Sequence, residues 1–433
     1  VISSTGQNLR VVLNAAPTAT PPVPVGATFT DGDINGAAAE ISGGAYTNSF
    51  DGTTSTRLLN INATTDTLTL QNPPNDGTQV VAAPLGVDAT GNVAFDIDAR
   101  NNRGLAVMTV GGVQGLYNIA IPDSTATLPT AAAASLVGAL NVPNPVIGMV
   151  LIQPTAPQAI ALDGNTAGSQ RLLKFGIRNP NAATATAISG LPAGERLLSI
   201  DYRPSNGKLY GLSSAGKVFT INPDTGAATL ASTLSVAAEI VAGLTAGKNY
   251  AIDFNPLADA LRIVSSGDGD GVSKNYRVGG ANLESTGTTV TDTNLTLAGV
   301  GTGFGIAQIA YSNSFANPAP TATRMFDIDA DNNRLLQQVP PNDGTLTNIG
   351  TFSTAAFNDY GGFDISGGDN GMVLMANRVG ATGAFSLFTS ALAVGPSPAT
   401  TVLVSPAGVS TGTNEIGTGA AASTDIRALT VKY

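Results

Sequence analysis

The chain contains no cysteine, no histidine and no tryptophan among its 433 residues. Without thiol or imidazole there can be no disulfide framework, no thiolate nucleophile, no Ser-His-Asp triad, no ordinary zinc site and no covalently attached haem. Glutamate is scarce as well: Glu40, Glu195, Glu239, Glu284 and Glu415 complete the set, and none sits in a repeated context. No stretch approaches the roughly 18 consecutive apolar residues that mark a membrane helix. Lys and Arg number 20 against 30 Asp and Glu, and the net charge of -10 argues against binding nucleic acid by neutralising phosphates. Charged residues make up 12% and hydrophobic residues 42%, so the chain has the apolar surface to bury a core and is not expected to be disordered. It starts at Val1, with neither an initiator Met nor a signal peptide, which reads as a processed or partial product. Few charges, abundant small residues and no cysteine fit a bacterial exported protein, extracellular or at the cell surface.

What is present is repetition. QNPPNDGT at 71–78 recurs as QVPPNDGT at 338–345, AYTNSF at 45–50 as AYSNSF at 310–315, and VAFDID at 93–98 as GGFDIS at 361–366. VISSTGQNLR at the N-terminus matches IVSSGDGDGVSKNYR at 263–277. The chain therefore reads as a truncated repeat copy (1–153) followed by a full one (154–433).

A shorter repeat lies inside the long one. Residues 197–233 form four runs of alternating apolar residues separated by Asn-Gly, Ala-Gly and Pro-Asp-Thr-Gly turns, the pattern of a four-stranded antiparallel meander. First-strand runs of this kind begin near residues 45, 93, 146, 197, 250, 307, 361 and 425. The last has nothing after it, while the N-terminal VISSTG and NLRVVLNAA lack a first strand. Complementary orphan ends are how a β-propeller closes and hides its sheet edges. The expectation is an all-β chain forming one eight-bladed β-propeller, 1–433, closed by pairing Ile426–Tyr433 beside Val1–Ser4, within the chain or across to a neighbour, with Ile200, Ile252, Ile309 and Ile365 at equivalent depths; the competing reading is two domains split near residue 153, one per repeat copy. Helix is expected only at SVAAEIVAGL, 235–244.

At GERLLSIDYRPSNGKLYGLSSAGKVFTINPDTGAAT and YAIDFNPLADALRIVSS, with PPNDGT and AYTNS supporting, the chain resembles a bacterial family known as domain of unknown function 4394. The resemblance covers 159–433 in full and 1–153 as a truncated copy. It implies an exported propeller and brings no catalytic residues. The first copy departs from the pattern by lacking the LYGL-type blade and the DFNP segment.

With histidine and cysteine absent, paired carboxylates are the remaining acid–base chemistry. Asp201, Asp253, Asp327 and Asp364 lie in first or second strands of blades, where an Asp either lines the channel or bonds a neighbouring blade's backbone; the second reading is preferred. The metal candidate is DGDINGAAAE, 31–40: Asp31, Asp33 and Asn35, followed by Gly36, reproduce the first half of a calcium loop. Its closing Glu is missing, since Ser42 stands at the twelfth position and Glu40 falls two residues early. A solvated turn is the competing reading, as it is for Asp268 and Asp270 in SGDGDG. Asp327, Asp329 and Asp331 read as a strand running into a turn. GVGTGFG, 299–305, lacks the Lys-Ser/Thr of a phosphate loop, and scattered tyrosines disfavour a lectin.

The function expected is a secreted, non-enzymatic structural or interaction protein without cofactor other than calcium: a surface-layer, matrix or filament subunit whose partners are itself, as a strand-mediated homopolymer, or other cell-surface components. The alternatives are a metal-dependent extracellular enzyme working through channel carboxylates and a ligand-binding propeller.

Overall fold

The computed structural model describes all residues except 4, 14–22, 37–39, 51–52, 54, 123–131, 153–156, 299–303, 317–318, 353–359, 369, 371, 379–383, 391–400, 403, 407–413 and 433. The chain divides into two compact units, one of residues 1–49 and 56–153, the other of 50–55 and 154–433.

In the first unit, strand β1 (Gly43–Tyr46) opens a sheet that continues through Leu58–Asn62, Thr67–Gln71 and Thr78–Pro84. Strand β2 (Ala89–Asp98) opens an antiparallel meander with Arg103–Val110, Val113–Ala120 and Ala134–Ala139. Leu9–Val11 pairs with Thr28–Thr30 as a separate ribbon. Period-two alternation turns Leu59, Ile61 and Leu68 of the first sheet toward Ile97, Met108 and Ile119 of the second, in one apolar core. The PPNDGT motif explains its own recurrence. Pro74–Asp76 and Pro341–Asp343 each make a short 3-10 turn, closed by Gly77 at φ 70° and Gly344 at φ 64°. A side chain there would be strained by the left-handed backbone, and a Cβ at Gly77 would also strike the Asp33 carbonyl.

The second unit begins with β3 (Gln158–Asp163). Four further strands, β4 (Leu197–Tyr202), β5 (Tyr250–Asn255), β6 (Ile306–Tyr311) and β7 (Gly362–Ser366), each open an antiparallel meander that steps outward along the chain, the one opened by β6 also taking Thr296–Leu297 and Thr401–Val402 in parallel at its outer strand. The last strand, β8 (Ile426–Lys432), pairs antiparallel with β3, placing Lys432 opposite Gln158 and Leu429 opposite Ala161. This corrects the expected closure: the C-terminal strand completes the sheet that starts at Gln158, and Val1–Ser4 is not its partner. Both segments are short and hold apolar residues, and the expectation rests on the orphan ends rather than on a comparison of the two as partners.

Five apolar cores separate the sheets of this unit. Ile200, Leu209 and Phe219 pack on Leu162 and Leu172; Ile252 and Phe254 on Tyr210 and Leu212; Ile309 and Met325 on Val264; Phe363 and Val373 on Ala310 and Phe326; and Leu173 and Phe175 on Leu374 and Leu387. The sheet led by β7 thus packs against the sheet led by β8, which packs against that led by β4. Helix α1 (Ala237–Thr245) stands where a helix was expected and buries Ile240 in the second of these cores. The architecture is β-propeller-like, but a ring of eight sheets is not found among the described residues. Residues 146–152, expected as a first strand, pair with no described strand.

Candidate functional site

The inner strands of the second unit carry one polar position in common. Register and sequence align Asp201, Asp253, Ala310, Asp364 and Thr430, in S-I-D-Y, A-I-D-F, Q-I-A-Y, G-F-D-I and A-L-T-V. The same alignment corrects the expected isoleucine level: Phe363, not Ile365, is the counterpart of Ile200, Ile252 and Ile309, and all four line one cavity at the inner strands.

Each polar side chain at this level reaches across a sheet boundary to the backbone of the next inner strand. Asp201 Oδ2 accepts from the Phe254 N–H at 2.8 Å, Asp253 Oδ1 from Tyr311 N–H at 2.9 Å, and Asp364 Oδ2 from Val431 N–H at 2.6 Å. Thr430 Oγ1 accepts from Tyr202 N–H at 3.3 Å and donates to Asp201 Oδ1 at 2.8 Å. Ala310 offers no such acceptor, so the boundary between β6 and β7 lacks the link at this level. Ser199, two residues before Asp201, repeats the device by accepting from Ile252 N–H at 3.3 Å. Inner-strand N–H groups face a neighbouring sheet where no ladder can meet them, and side-chain acceptors satisfy them.

Oxygens of Asp201, Asp253 and Asp364 lie within 4.8 Å of one another, and all three residues are buried. Burial raises the Asp201 carboxyl, and the Asp364 charge adds to it. Burial likewise raises Asp253, with Asp201 and Asp364 contributing, and lifts Asp364 to about 7. Such a group of acids is neutralised either by protons or by a cation; oxygens at this spacing fit the reach of a hard cation with ligands at about 2.4 Å. The room beside them is small. The cavity where the five inner strands meet, lined by Ser199, Ile252, Gln308, Gly362 and Arg427 among others, measures about 10 Å³, close to the minimum for one water. Gln308 points neither its amide nitrogen nor its oxygen at a partner.

Among the residues singled out from sequence, Asp201, Asp253 and Asp364 come together and bond neighbouring backbone, as preferred. Asp327 does not join them. It lies in the second strand of its sheet, opposite Ile309, fully buried with both oxygens unpartnered, and burial lifts its carboxyl to about 8 against the opposing pull of Arg262. Asp329 receives Arg334 Nε at 2.7 Å. Asp268 accepts from Ser266 Oγ at 2.6 Å within the turn, and Asp270 accepts at 2.5 Å from Nζ of Lys248, 22 residues earlier in the chain. The 31–36 segment is a connector. Asp31 pairs with Arg10 at 3.1 Å, the Asn35 amide donates to the carbonyls of Asp33 and Asp76 at 2.8 Å each, and Asn35–Gly36 runs parallel to Thr78–Gln79. The second copy builds the same connector, with Asp292 paired to Arg277 and Thr296–Leu297 parallel to Thr345–Leu346. GVGTGFG falls mostly outside the described residues. Sequence reasoning missed Thr430 and Gln308; aligning the inner runs level by level, instead of searching for carboxylates, would have found both.

The model of a family described as a domain of unknown function (DUF4394) matches residues 1–142 and 171–408. No curated protein matches the chain. Among solved structures, the chain is similar to the β-propeller domain of Cps50 (Swd1) from Myceliophteria thermophila, at 10% identity over 80% of this chain and 94% of that one, with a TM-score of 0.31. It is also similar to KlHsv2 with loop 6CD replaced by a Gly-Ser linker, at 9% identity over 87% and 99%, TM-score 0.29. A third is an auxiliary nutrient binding protein from Bacteroides thetaiotaomicron, at 14% identity over 66% of each chain, TM-score 0.31.

Proposed function

Because the chain belongs to the DUF4394 family, a family of unknown function, its role has to be inferred from geometry, and we propose that it is a non-enzymatic structural or interaction protein that works outside the cell. In this reading residues 154–433 close as a five-bladed propeller, and the surfaces rather than the axis do the work. The observation that carries it is the polar level of the inner strands. Its three carboxylates are each engaged by a backbone N–H of the next strand, beside a void of about 10 Å³ that would admit no substrate. The test is Asp253→Ala and Asp364→Ala, measured for melting temperature and for turnover on a panel of esters, glycosides and phosphoesters. Acids that fasten strands lower the melting temperature by several degrees when removed, since each leaves a buried N–H unmet at about 1–3 kcal/mol. Turnover in the wild type that these substitutions abolish would overturn the reading.

A second reading is favoured by the spacing of the same three oxygens: a cation held there, in a metal-dependent enzyme. Calcium at Asp31, Asp33 and Asn35 stands behind both, because it would have to draw Asp31 from Arg10 and turn the Asn35 amide around.

A further inference from the structure

Arg262 and Arg277 stand directly opposite each other on adjacent strands of the sheet led by β5. Like charges in that position repel, and the fold brings one acid to them. Asp292 Oδ2 accepts from Arg262 Nη1 at 2.6 Å and from Arg277 Nε at 3.0 Å, and its Oδ1 accepts from Arg277 Nη2 at 3.1 Å. Two guanidiniums therefore share one carboxylate, and a positive charge is left over in a chain whose net charge is -10. Asp327 does not cancel it at neutral pH: burial lifts that carboxyl to about 8, against the pull of Arg262, so it keeps its proton. The Arg262 side chain is only 3% exposed. The surplus charge is thus partly withdrawn from water, which costs stability unless an anion meets it.

The surplus faces a pocket. A space of about 220 Å³ opens where Asn255 and Tyr311 end β5 and β6, lined by both arginines, Tyr311, Thr323, Pro340 and Pro341, and no Asp or Glu stands among its described lining residues. Its polar groups are donors in search of an acceptor. Tyr311, 1% exposed, accepts from Arg262 Nε at 3.2 Å, and among the described residues nothing accepts the proton of its own hydroxyl. Burial pushes that phenol up, so the proton stays in place. Arg277 spends Nε and Nη2 on Asp292, and its Nη1 donates to no described group. Buried hydroxyl protons are nearly always met by a partner, and this one lies on a pocket wall.

We propose that this pocket binds a small monocarboxylate, with its carboxylate between Arg277 and Tyr311 and its apolar body against Pro340 and Pro341. One leftover positive charge matches a monoanion. A guanidinium edge and a phenol hydroxyl offer a carboxylate the charge-assisted hydrogen bonds it accepts best. The prolines cover carbon, where a dianion such as phosphate would bring a second charge with nothing to meet it. The volume lies below the roughly 300–1,000 Å³ of pockets for drug-sized ligands, which limits the acid to a short chain or a single ring. The site shares no residue with the axial acids, so the inference goes beyond the scaffold reading and does not depend on it.

Calorimetric titration at neutral pH with benzoate and with butyrate tests the assignment. The wild type should bind both saturably and should give no such heat with benzyl alcohol, which keeps the ring and lacks the charge. Arg277→Gln, at a side chain 36% exposed, and Tyr311→Phe should each weaken benzoate binding about tenfold or more. Lys174→Gln, which removes a cation paired with Asp224 elsewhere on the unit, should leave it unchanged. Circular dichroism checks the fold of each variant; if Tyr311→Phe does not fold, Arg277→Gln and the benzyl alcohol comparison still decide. The proposal is overturned by a wild type that binds neither acid, by benzyl alcohol binding as tightly as benzoate, by a folded Arg277→Gln with undiminished affinity, or by inorganic phosphate displacing benzoate as well as butyrate does. None of these outcomes touches the scaffold reading, which is decided by melting and turnover at Asp253 and Asp364.

Discussion

Asn60 in the first copy and Asp327 in the second occupy the same point of the repeat, yet they have opposite fortunes. The Asn60 amide donates to Gln71 at 3.0 Å and to Gln79 at 3.1 Å, and Thr69 joins the same group through Gln79. Around Asp327 the counterparts of Thr69 and Gln79 are Leu336 and Leu346, and the carboxyl is left unpartnered. An amide with two acceptors holds a buried position at any pH; an acid among leucines holds it only while it keeps its proton. Duplication therefore preserved the strand and changed what it tolerates.

The contrast can be broken in several ways. The largest effect is expected from ending the chain at Thr424, which removes β8 and with it the partner of β3, the donor to Asp364 and one of the two acceptors of Tyr202 N–H. Calorimetry should lose the second unit's transition and keep that of the first; retention of both would refute the closure by β8. Next, Asn60→Asp should cost on the order of 3 kcal/mol and make the first unit's melting pH-dependent, because the new carboxylate would face two amide oxygens without a donor.

Asp327→Asn should do the reverse in the second unit. A carboxyl raised to about 8 in the fold, against about 3.9 unfolded, adds stability that is fully present below about pH 4 and is lost as pH rises toward 8. Wild-type melting of the second unit should accordingly fall between pH 5 and 8. The variant should flatten that slope and melt several degrees higher at pH 8, and an unchanged slope would refute the assignment. Thr430→Val, which removes one donor and one acceptor from the inner level, should cost about 1 kcal/mol in denaturant titration. The smallest effect is expected at the 31–36 connector. Calcium titration of the wild type and of Asp33→Ala should give the same heats, and a heat lost in the variant would place a cation there.

How much of this was legible can be judged element by element. Turn grammar such as Asn206-Gly207 and Pro223-Asp224-Thr225-Gly226, with period-two alternation between, marked most sheets and every inner strand of the second unit, because those signals are local. The role of the axial acids could be read as a preference, since an inner-strand Asp has a backbone within reach whichever sheet comes next. The partner of the C-terminal strand was not legible, because the pairing of Ile426–Lys432 with Gln158–Asp163 joins segments more than 260 residues apart, and no local signal in either names the other. Nor could composition distinguish Asp327 from Asp364: both follow an apolar residue in a strand, and the difference lies in side chains contributed from other strands.

The antiparallel pairing that sets Lys432 against Gln158 leaves the beginning and the end of the second unit side by side. Such a unit has no privileged starting point. A short Gly-Ser bridge from Lys432 to Gln158 would convert it into a continuous loop, and new termini could be cut in any exposed turn, the Asn206-Gly207 turn being one, at the kind of site where circular permutation succeeds. The pairing therefore does not itself dictate the order of the sheets along the chain, and the unit could be re-opened wherever a fused partner needs to be displayed.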